Sequence, residues 1–390
     1  MTKKIIIINI EKSYIELDWI LPVLNKLTDK FEIVTLFNKK QELFNLKKNK
    51  YLFDAWQKVS NRYFFLNKLD KTLIFLFQVF EKFVHKKNFI KKFLFHPKNI
   101  FFFKKINYKD IIIFLSDFNS YSTLSKLFQL QSLRPKIIRF PNSAYVFSNP
   151  KKNINVNYSL TGDLLLLNYE LDINYWKLRI KSEKIKVVGT PKFQKEWLSK
   201  TINYSNENKF KNYILVTYSS RFNIGYDDTL LKNQLIDLMD ILINYKDQKI
   251  VIKIHPRKND KEYLKILDNY DKNHWVVTEN HISELLYNSN IYLHDRNSST
   301  LIEGLALNKR CIEYWDPVKK LDQADEFIND KLKINVRAEN KKQLSELVDI
   351  ALYDENNHMW ISQRENYLKI INKDQDPIIN SVMAIEELVN

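Results

Sequence analysis

Two spacings of apolar residues alternate along the chain. Short unbroken aliphatic runs recur, and most are followed by segments whose apolar residues fall every three or four positions. KKIIIINI predicts a first strand, ELDWILPVLNKLTDK a helix and FEIVTLF a second strand. Further on, DIIIFLSD (Asp110–Asp117) reads as a strand, SYSTLSKLFQLQSL as a helix and KIIRFP (Lys136–Pro141) as a strand. After a polar, loop-like segment from Asn142 to Asn157, SLTGDLLLLNYE and KIKVVGTPKF complete the first half, with Gly189-Thr190-Pro191 as a turn. The second half alternates more cleanly. YILVTY (Tyr213–Tyr218), a helix from Thr229 to Tyr245, KIVIKI, a helix around Tyr263–Leu267 and WVVT come first. SELLYNS, IYLHD, a helix led by serines, CIEYW and a helix over Lys341–Tyr353 follow. Strands without a polar alternation, separated by helices, belong in parallel sheets covered on both faces.

With 390 residues the chain can build two cores. The expected division is an N-terminal α/β domain over 1–200, with a basic helical insertion at about 61–105. Residues 201–212, polar and without periodicity, are the linker. A second α/β domain covers 213–375, and a C-terminal helix covers 376–390. The expected fold class is therefore α/β, two doubly wound Rossmann-like domains facing a cleft. Ligands of such sheets bind outside the carboxyl ends of the strands, and domain closure would accompany a reaction.

Composition narrows the picture. A single cysteine, Cys311, rules out a disulfide framework within the chain and suits a reducing cytoplasm. The apolar run at the N-terminus is too short for a signal-peptide core, and no run is long enough to span a membrane. The expected location is cytoplasmic, or peripheral at the inner face of a membrane. The net charge of +16 points to an acidic partner: a nucleotide, an anionic membrane surface or nucleic acid. Segment 61–105 concentrates that charge, with eleven Lys or Arg against two acids and twelve phenylalanines between them. It reads as a solvated helix pair, as a patch for an anionic membrane, or as a single-strand nucleic-acid surface. No nucleic-acid motif accompanies it, so nucleic acid is not the expected partner.

The candidate chemistry clusters between Lys249 and Trp315. His255 closes the strand KIVIKI, and Pro256, which has no backbone donor, ends it. An imidazole there can donate to a phosphate oxygen. About forty residues later, IYLHDRNSSTLIEG carries Asp295, then Ser298 and Ser299 at a helix start, then Glu303. A serine at that position can simply cap the helix. It can also help bind an anion, because free amide groups point outward at a helix N-terminus. Glu303 follows Ser299 by four residues and shares its helix face, where a carboxylate suits ribose hydroxyls. The turn after YILVTY brings Ser219, Ser220 and Arg221, and the arginine could neutralise a phosphate. Asp117 and Glu11, each after a strand of the first half, are the candidate catalytic bases or nucleophiles. The seven histidines are scattered, so no metal site is expected, and four glycines leave no phosphate loop.

His255-Pro256, then Asp295, Ser298-Ser299, Glu303 and Gly304 before a strand, resembles the donor domain of GT-B-fold transferases that use cytidine-type donors. That group includes the CDP-glycerol glycerophosphotransferases and the bacterial sialyl- and Kdo-transferases. Gly162-Asp163 and Val188-Gly189-Thr190-Pro191 are similar to the segment joining the two domains in the same group. The resemblance covers roughly residues 160–320. It implies a GT-B architecture with donor phosphate on His255, Ser298 and Ser299 and ribose on Glu303. The glycerophosphotransferases carry a His-Gly pair in the first domain, whereas Phe140-Pro141-Asn142-Ser143 has no histidine, which favours sugar transfer over polyol-phosphate transfer.

The expectation is thus a metal-independent glycosyltransferase. It would need no cofactor beyond its nucleotide-sugar donor, and would move an acidic sugar from a CMP donor onto a surface glycan such as capsule or lipopolysaccharide. The acceptor would be a glycan or a lipid-linked glycan. The alternatives are polyol-phosphate transfer from a CDP donor, a UDP-sugar transferase or 2-epimerase, and, outside enzymes, a basic nucleic-acid-binding protein.

Overall fold

The computed structural model describes residues 3–10, 15–60, 62–83, 106, 108–117, 123–129, 131, 134–141, 160–204, 211–218, 228–254, 261–295, 298–314, 328–371 and 376–389. The chain forms two compact units, Met1–Trp197 with Asp374–Asn390, and Leu198–Lys373.

In the first unit the strands are β1 (Lys4–Ile10), β2 (Phe31–Phe37), β3 (Arg62–Phe65), β4 (Ile111–Asp117), β5 (Lys136–Phe140), β6 (Leu164–Leu167) and β7 (Ile185–Val187). They pair in the order β3-β2-β1-β4-β5-β6-β7, with every neighbour parallel. Ile5, Ile6, Ile7, Ile8 and Ile10 are all buried, so β1 is covered on both faces. Each such side chain is worth about 1.5–3 kcal/mol of gross transfer energy, which explains the unbroken isoleucine run. On one face Ile5, Ile7, Val34, Leu36 and Phe114 pack with Phe77 of α4 (Lys68–Phe83) and with Leu124, Leu127 and Phe128 of α5 (Thr123–Gln129). The segment expected to be a helical insertion therefore opens as an edge strand. RYFF pairs with β2 before α4 begins, and of the remainder only 66–83 is described, as helix from Lys68. A four-residue strand is too short to stand out in a phenylalanine-rich run.

The expected linker also begins as helix, because α6 (Lys195–Tyr204) runs through its first four residues. The C-terminal helix (Pro377–Val389) is not a separate element. It packs on α1 (Glu16–Leu27) and β5 in the first unit, with Lys30 Nζ donating to Glu386 at 2.6 Å. Gly189 accommodates this return. Its φ is +87°, and a Cβ there would stand 2.9 Å from Pro377 Cγ. Both constraints require glycine. Asp163 accepts from Arg134 Nη1 and Nη2, at 2.5 and 2.8 Å, and from the Ile137 amide at 2.9 Å. It thereby clamps the entries of β5 and β6 together.

In the second unit the strands are β8 (Tyr213–Tyr218), β9 (Ile250–Ile254), β10 (Trp275–Thr278), β11 (Ser289–His294), β12 (Arg310–Tyr314) and β13 (Val336–Ala338). They form an all-parallel sheet in the order β10-β9-β8-β11-β12-β13. Alternate residues Ile214, Val216, Ile291, Leu293 and Ile312 face α7 (Asp228–Leu242) and α8 (Lys341–Tyr353) through Leu235, Met239, Leu344 and Val348. The other face meets α9 (Ile282–Asn288) and α10 (Thr300–Ala306). In both sheets the winding reverses beside the first strand, between β1 and β4 and between β8 and β11. Such a reversal opens the crevice in which doubly wound sheets bind ligands.

Candidate functional site

At the carboxyl edge of the second sheet, four polar residues stand in one lateral row. Thr217 on β8 pairs in register with His294 on β11, His294 with Glu313 on β12, and Glu313 with Arg337 on β13. Paired residues of parallel strands project to the same face, here the face under α9 and α10. Tyr292 lies on that face too, two residues before His294, and their rings stack at 5.4 Å between centroids.

A chain of hydroxyls connects this row to the start of α10. Thr217 Oγ1 is 2.6 Å from Tyr292 Oη, which bonds to Thr300 Oγ1, and Thr300 Oγ1 lies 2.6 Å from Ser298 Oγ. Full burial pushes the Tyr292 phenol well above its usual range, so it stays a neutral donor. Ser299 occupies the N-cap position but makes no side-chain cap bond; Ser298 Oγ instead accepts from the Thr300 amide at 3.3 Å. The helix has seven residues, about two turns, and ends where Asn308 adopts φ +59° and the Lys309 amide returns to Gly304 O. Gly304 lets α10 approach the sheet: a Cβ there would lie 2.7 Å from Cys311 Sγ and 3.0 Å from Tyr292 Cδ1. Glu303 is buried one residue earlier, and Asp295 follows β11 directly.

Glu313 is almost wholly buried, and its Oε2 accepts from Arg337 Nε at 2.7 Å and Asn335 Nδ2 at 2.5 Å. Arg337 also reaches both Asp330 oxygens, at 2.7 and 2.8 Å. Burial works against the Arg337 charge, but Glu313 and Asp330 outweigh it and hold the guanidinium protonated. His294 has the opposite balance. Burial, only partly offset by Glu313, pushes its pKa below the ordinary histidine range, so the ring is neutral near pH 7.

The predicted site residues divide as follows. Asp295, Ser298, Ser299 and Glu303 come together in one turn and helix of the second unit. Asp117 ends β4 in the first unit, fully buried, with its carbonyl accepting from Arg139 Nη1 at 3.3 Å. Glu11, Ser219, Ser220, Arg221, His255 and Pro256 lie outside the described residues. Sequence reasoning passed over His294, Glu313, Arg337 and the buried Arg139. The period-two spacing of Tyr292 and His294 was the available signal for the first of these. Among the described residues no three His, Cys, Asp or Glu side chains gather as a metal set, and no helix is long and apolar enough to cross a membrane.

Neither a protein-family model nor a curated protein sequence matches the chain. Solved structures do. The UDP co-structure of S. aureus MnaA aligns with a TM-score of 0.61 at 15% identity, covering 99% of this chain and 95% of that one. The Methanocaldococcus jannaschii UDP-GlcNAc 2-epimerase in complex with UDP-GlcNAc and UDP gives 0.56 at 15% identity, over 94% and 98%. The wall teichoic acid polymerase TagF gives 0.57 at 11% identity, over 99% and 90%. At these identities the likeness is one of fold: two parallel-sheet α/β domains of the GT-B type.

Proposed function

We propose that this chain is a nucleotide-sugar enzyme acting on a UDP-activated sugar, as a transferase or a 2-epimerase. The observation that carries this reading is the end-to-end likeness to UDP-GlcNAc 2-epimerases, one of them seen with UDP-GlcNAc and UDP, and to S. aureus MnaA seen with UDP. The same likeness supports a uridine donor over the CMP-linked acidic sugar expected from the sequence. TagF among the neighbours supports a second reading, transfer of a unit onto a growing polymer.

In this proposal the nucleotide lies at the carboxyl edge of the second sheet, with Asp295, Ser298, Ser299 and Glu303 beside it. His255, Pro256, Ser219, Ser220 and Arg221 would complete the phosphate site, and no cofactor is needed beyond the substrate. The first unit supplies the candidate bases, Asp117 and Glu11. In a transfer the base takes the proton of the acceptor hydroxyl; in an epimerisation it takes the proton on the inverted carbon. A glycan or lipid-linked acceptor would fit the transfer. The exposed Leu69, Phe75 and Leu76 of α4, next to basic sequence, support contact with an anionic membrane surface.

The test is nucleotide selectivity measured on the full chain. Binding of UDP and UDP-GlcNAc in preference to CMP, CDP, GDP and ADP is the expected result, and binding of CMP alone overturns it.

A further inference from the structure

The reversal of the second sheet falls between β8 and β11, so the carboxyl ends at its crevice belong to Thr217 and His294, which are register partners. The other members of the row are engaged within the protein: Thr217 with Tyr292, Glu313 with Arg337 and Asn335, and Arg337 with Asp330. Among the described residues His294 is hydrogen-bonded on one side only. Its Nδ1 lies 2.8 Å from the Asp295 carbonyl oxygen. A carbonyl can only accept, so Nδ1 carries the ring proton. In the neutral ring Nε2 is then a bare lone pair. The residue is 2% exposed, and Nε2 has no hydrogen-bond partner among the described residues. A buried acceptor left unmet costs about 1–3 kcal/mol, so a partner supplied from outside the chain would be stabilised by the same group.

The chemistry of that partner follows from the tautomer. A phosphate oxygen is itself an acceptor and cannot satisfy a lone pair, whereas a hydroxyl can. Resting on the nucleotide-sugar reading above, we infer that His294 Nε2 accepts a hydrogen bond from a sugar hydroxyl of the substrate at the β8–β11 crevice. His294 is therefore a binding residue for the carbohydrate part, separate from the groups that take the phosphates. Its stacking on Tyr292 and its bond to Asp295 O hold the ring in the orientation that keeps Nε2 the acceptor.

The experiment follows the imidazole nitrogens of the full-length, ¹⁵N-histidine-labelled chain by NMR, alongside calorimetric titration of two variants. The free protein should show the Nδ1–H tautomer, with Nε2 unprotonated. UDP or UDP-GlcNAc should shift Nε2 towards the hydrogen-bonded range. A shift with UDP alone assigns a ribose hydroxyl; a shift only with UDP-GlcNAc assigns the hexose. His294→Phe keeps the stacked ring and removes both the lone pair and the donor to Asp295 O, while His294→Asn keeps a donor for Asp295 O and lacks Nε2. Both should weaken ligand binding about 5- to 10-fold, the worth of one hydrogen bond. His294→Phe should change the melting temperature of the free protein little, because removing the unmet lone pair offsets the lost bond to Asp295 O. An Nε2 resonance indifferent to ligand, with both variants binding as the wild type does, means a trapped water satisfies the lone pair and overturns the inference alone. A wild type that binds neither ligand overturns the proposed function and this inference together.

Discussion

The carboxyl edges of the two sheets bury polar residues in different ways. In the first unit Asn9, Ser116 and Arg139 are register partners on β1, β4 and β5. The Arg139 guanidinium is fully buried and donates in every direction: to Ser116 Oγ, to the Asp117 carbonyl, and to Thr161 O and Oγ1 at 2.8 and 2.7 Å. It ties β4, β5 and the turn before β6 into one piece. In the second unit the corresponding row of Thr217, His294, Glu313 and Arg337 includes a buried ring nitrogen, His294 Nε2, with no hydrogen-bond partner among the described residues. A buried polar group with all its bonds made locks the fold; one with a bond outstanding costs stability and suits a ligand. The contrast assigns Arg139 to architecture and His294 to binding.

Breaking Arg139 should have the largest effect. Arg139→Leu removes the donors for four buried oxygens, and a loss of about 3–5 kcal/mol in denaturant unfolding is expected. His294→Phe, at the equivalent edge of the other sheet, should cost almost nothing. A loss below about 1 kcal/mol for Arg139→Leu would erase the distinction between the two rows.

The glycines sharpen the same comparison at a smaller scale. Gly304→Ala would drive a methyl into Cys311 and Tyr292, and a loss of about 1–3 kcal/mol is expected from overpacking. Adding Cys311→Ala should recover part of it, with a favourable coupling of at least about 0.5 kcal/mol in a double-mutant cycle. Gly162→Ala in the first unit meets Arg139 Cγ at 3.4 Å, an ordinary contact, and should be the milder change. Equal costs at the two positions would mean that α10 does not need its close approach.

Acid sensitivity should separate the units by the smallest margin. Burial alone would raise the Asp163 carboxyl, but its bonds to Arg134 and the Ile137 amide, with the nearby charges of Arg134 and Lys184, hold it below the usual range. A depressed carboxyl contributes stability above the unfolded value of about 3.9, lost as pH falls through the folded value. His294 is also depressed in the fold, so the unfolded chain takes up more protons there once pH falls below about 6.5. Stability linked to His294 is thus lost first, as pH drops from about 6.5. Melting temperatures between pH 7.5 and 3 should show His294→Phe removing the upper limb and Asp163→Asn the lower one. A wild-type limb between pH 6.5 and 5 that survives in His294→Phe would assign it to another group.

Much of this was legible in the sequence for a physical reason. Strands covered on both faces must be apolar throughout, so β1, β4 and β9 announce themselves as isoleucine-rich runs and β8 as the apolar run YILV. Ser298, Ser299 and Glu303 stood out because polar residues cluster where a strand hands over to a helix. What stayed hidden depended on distant partners. Arg139 in KIIRFP looks like a strand-edge cation until Ser116 and Thr161, more than twenty residues away, close around it. Gly189 reads as a turn, and only the return of Pro377 shows that it also makes room for the last helix. His294 looked like the end of IYLHD because its neighbours in the row come from three other strands.

The most direct measurement of the central claim is calorimetric titration of the full chain with UDP, UDP-GlcNAc, CMP, CDP, GDP and ADP in parallel. Saturable binding of UDP and UDP-GlcNAc, with little or none of the others, is the predicted result. Saturable binding of CMP or CDP with none of UDP would contradict it and return the donor to the cytidine class.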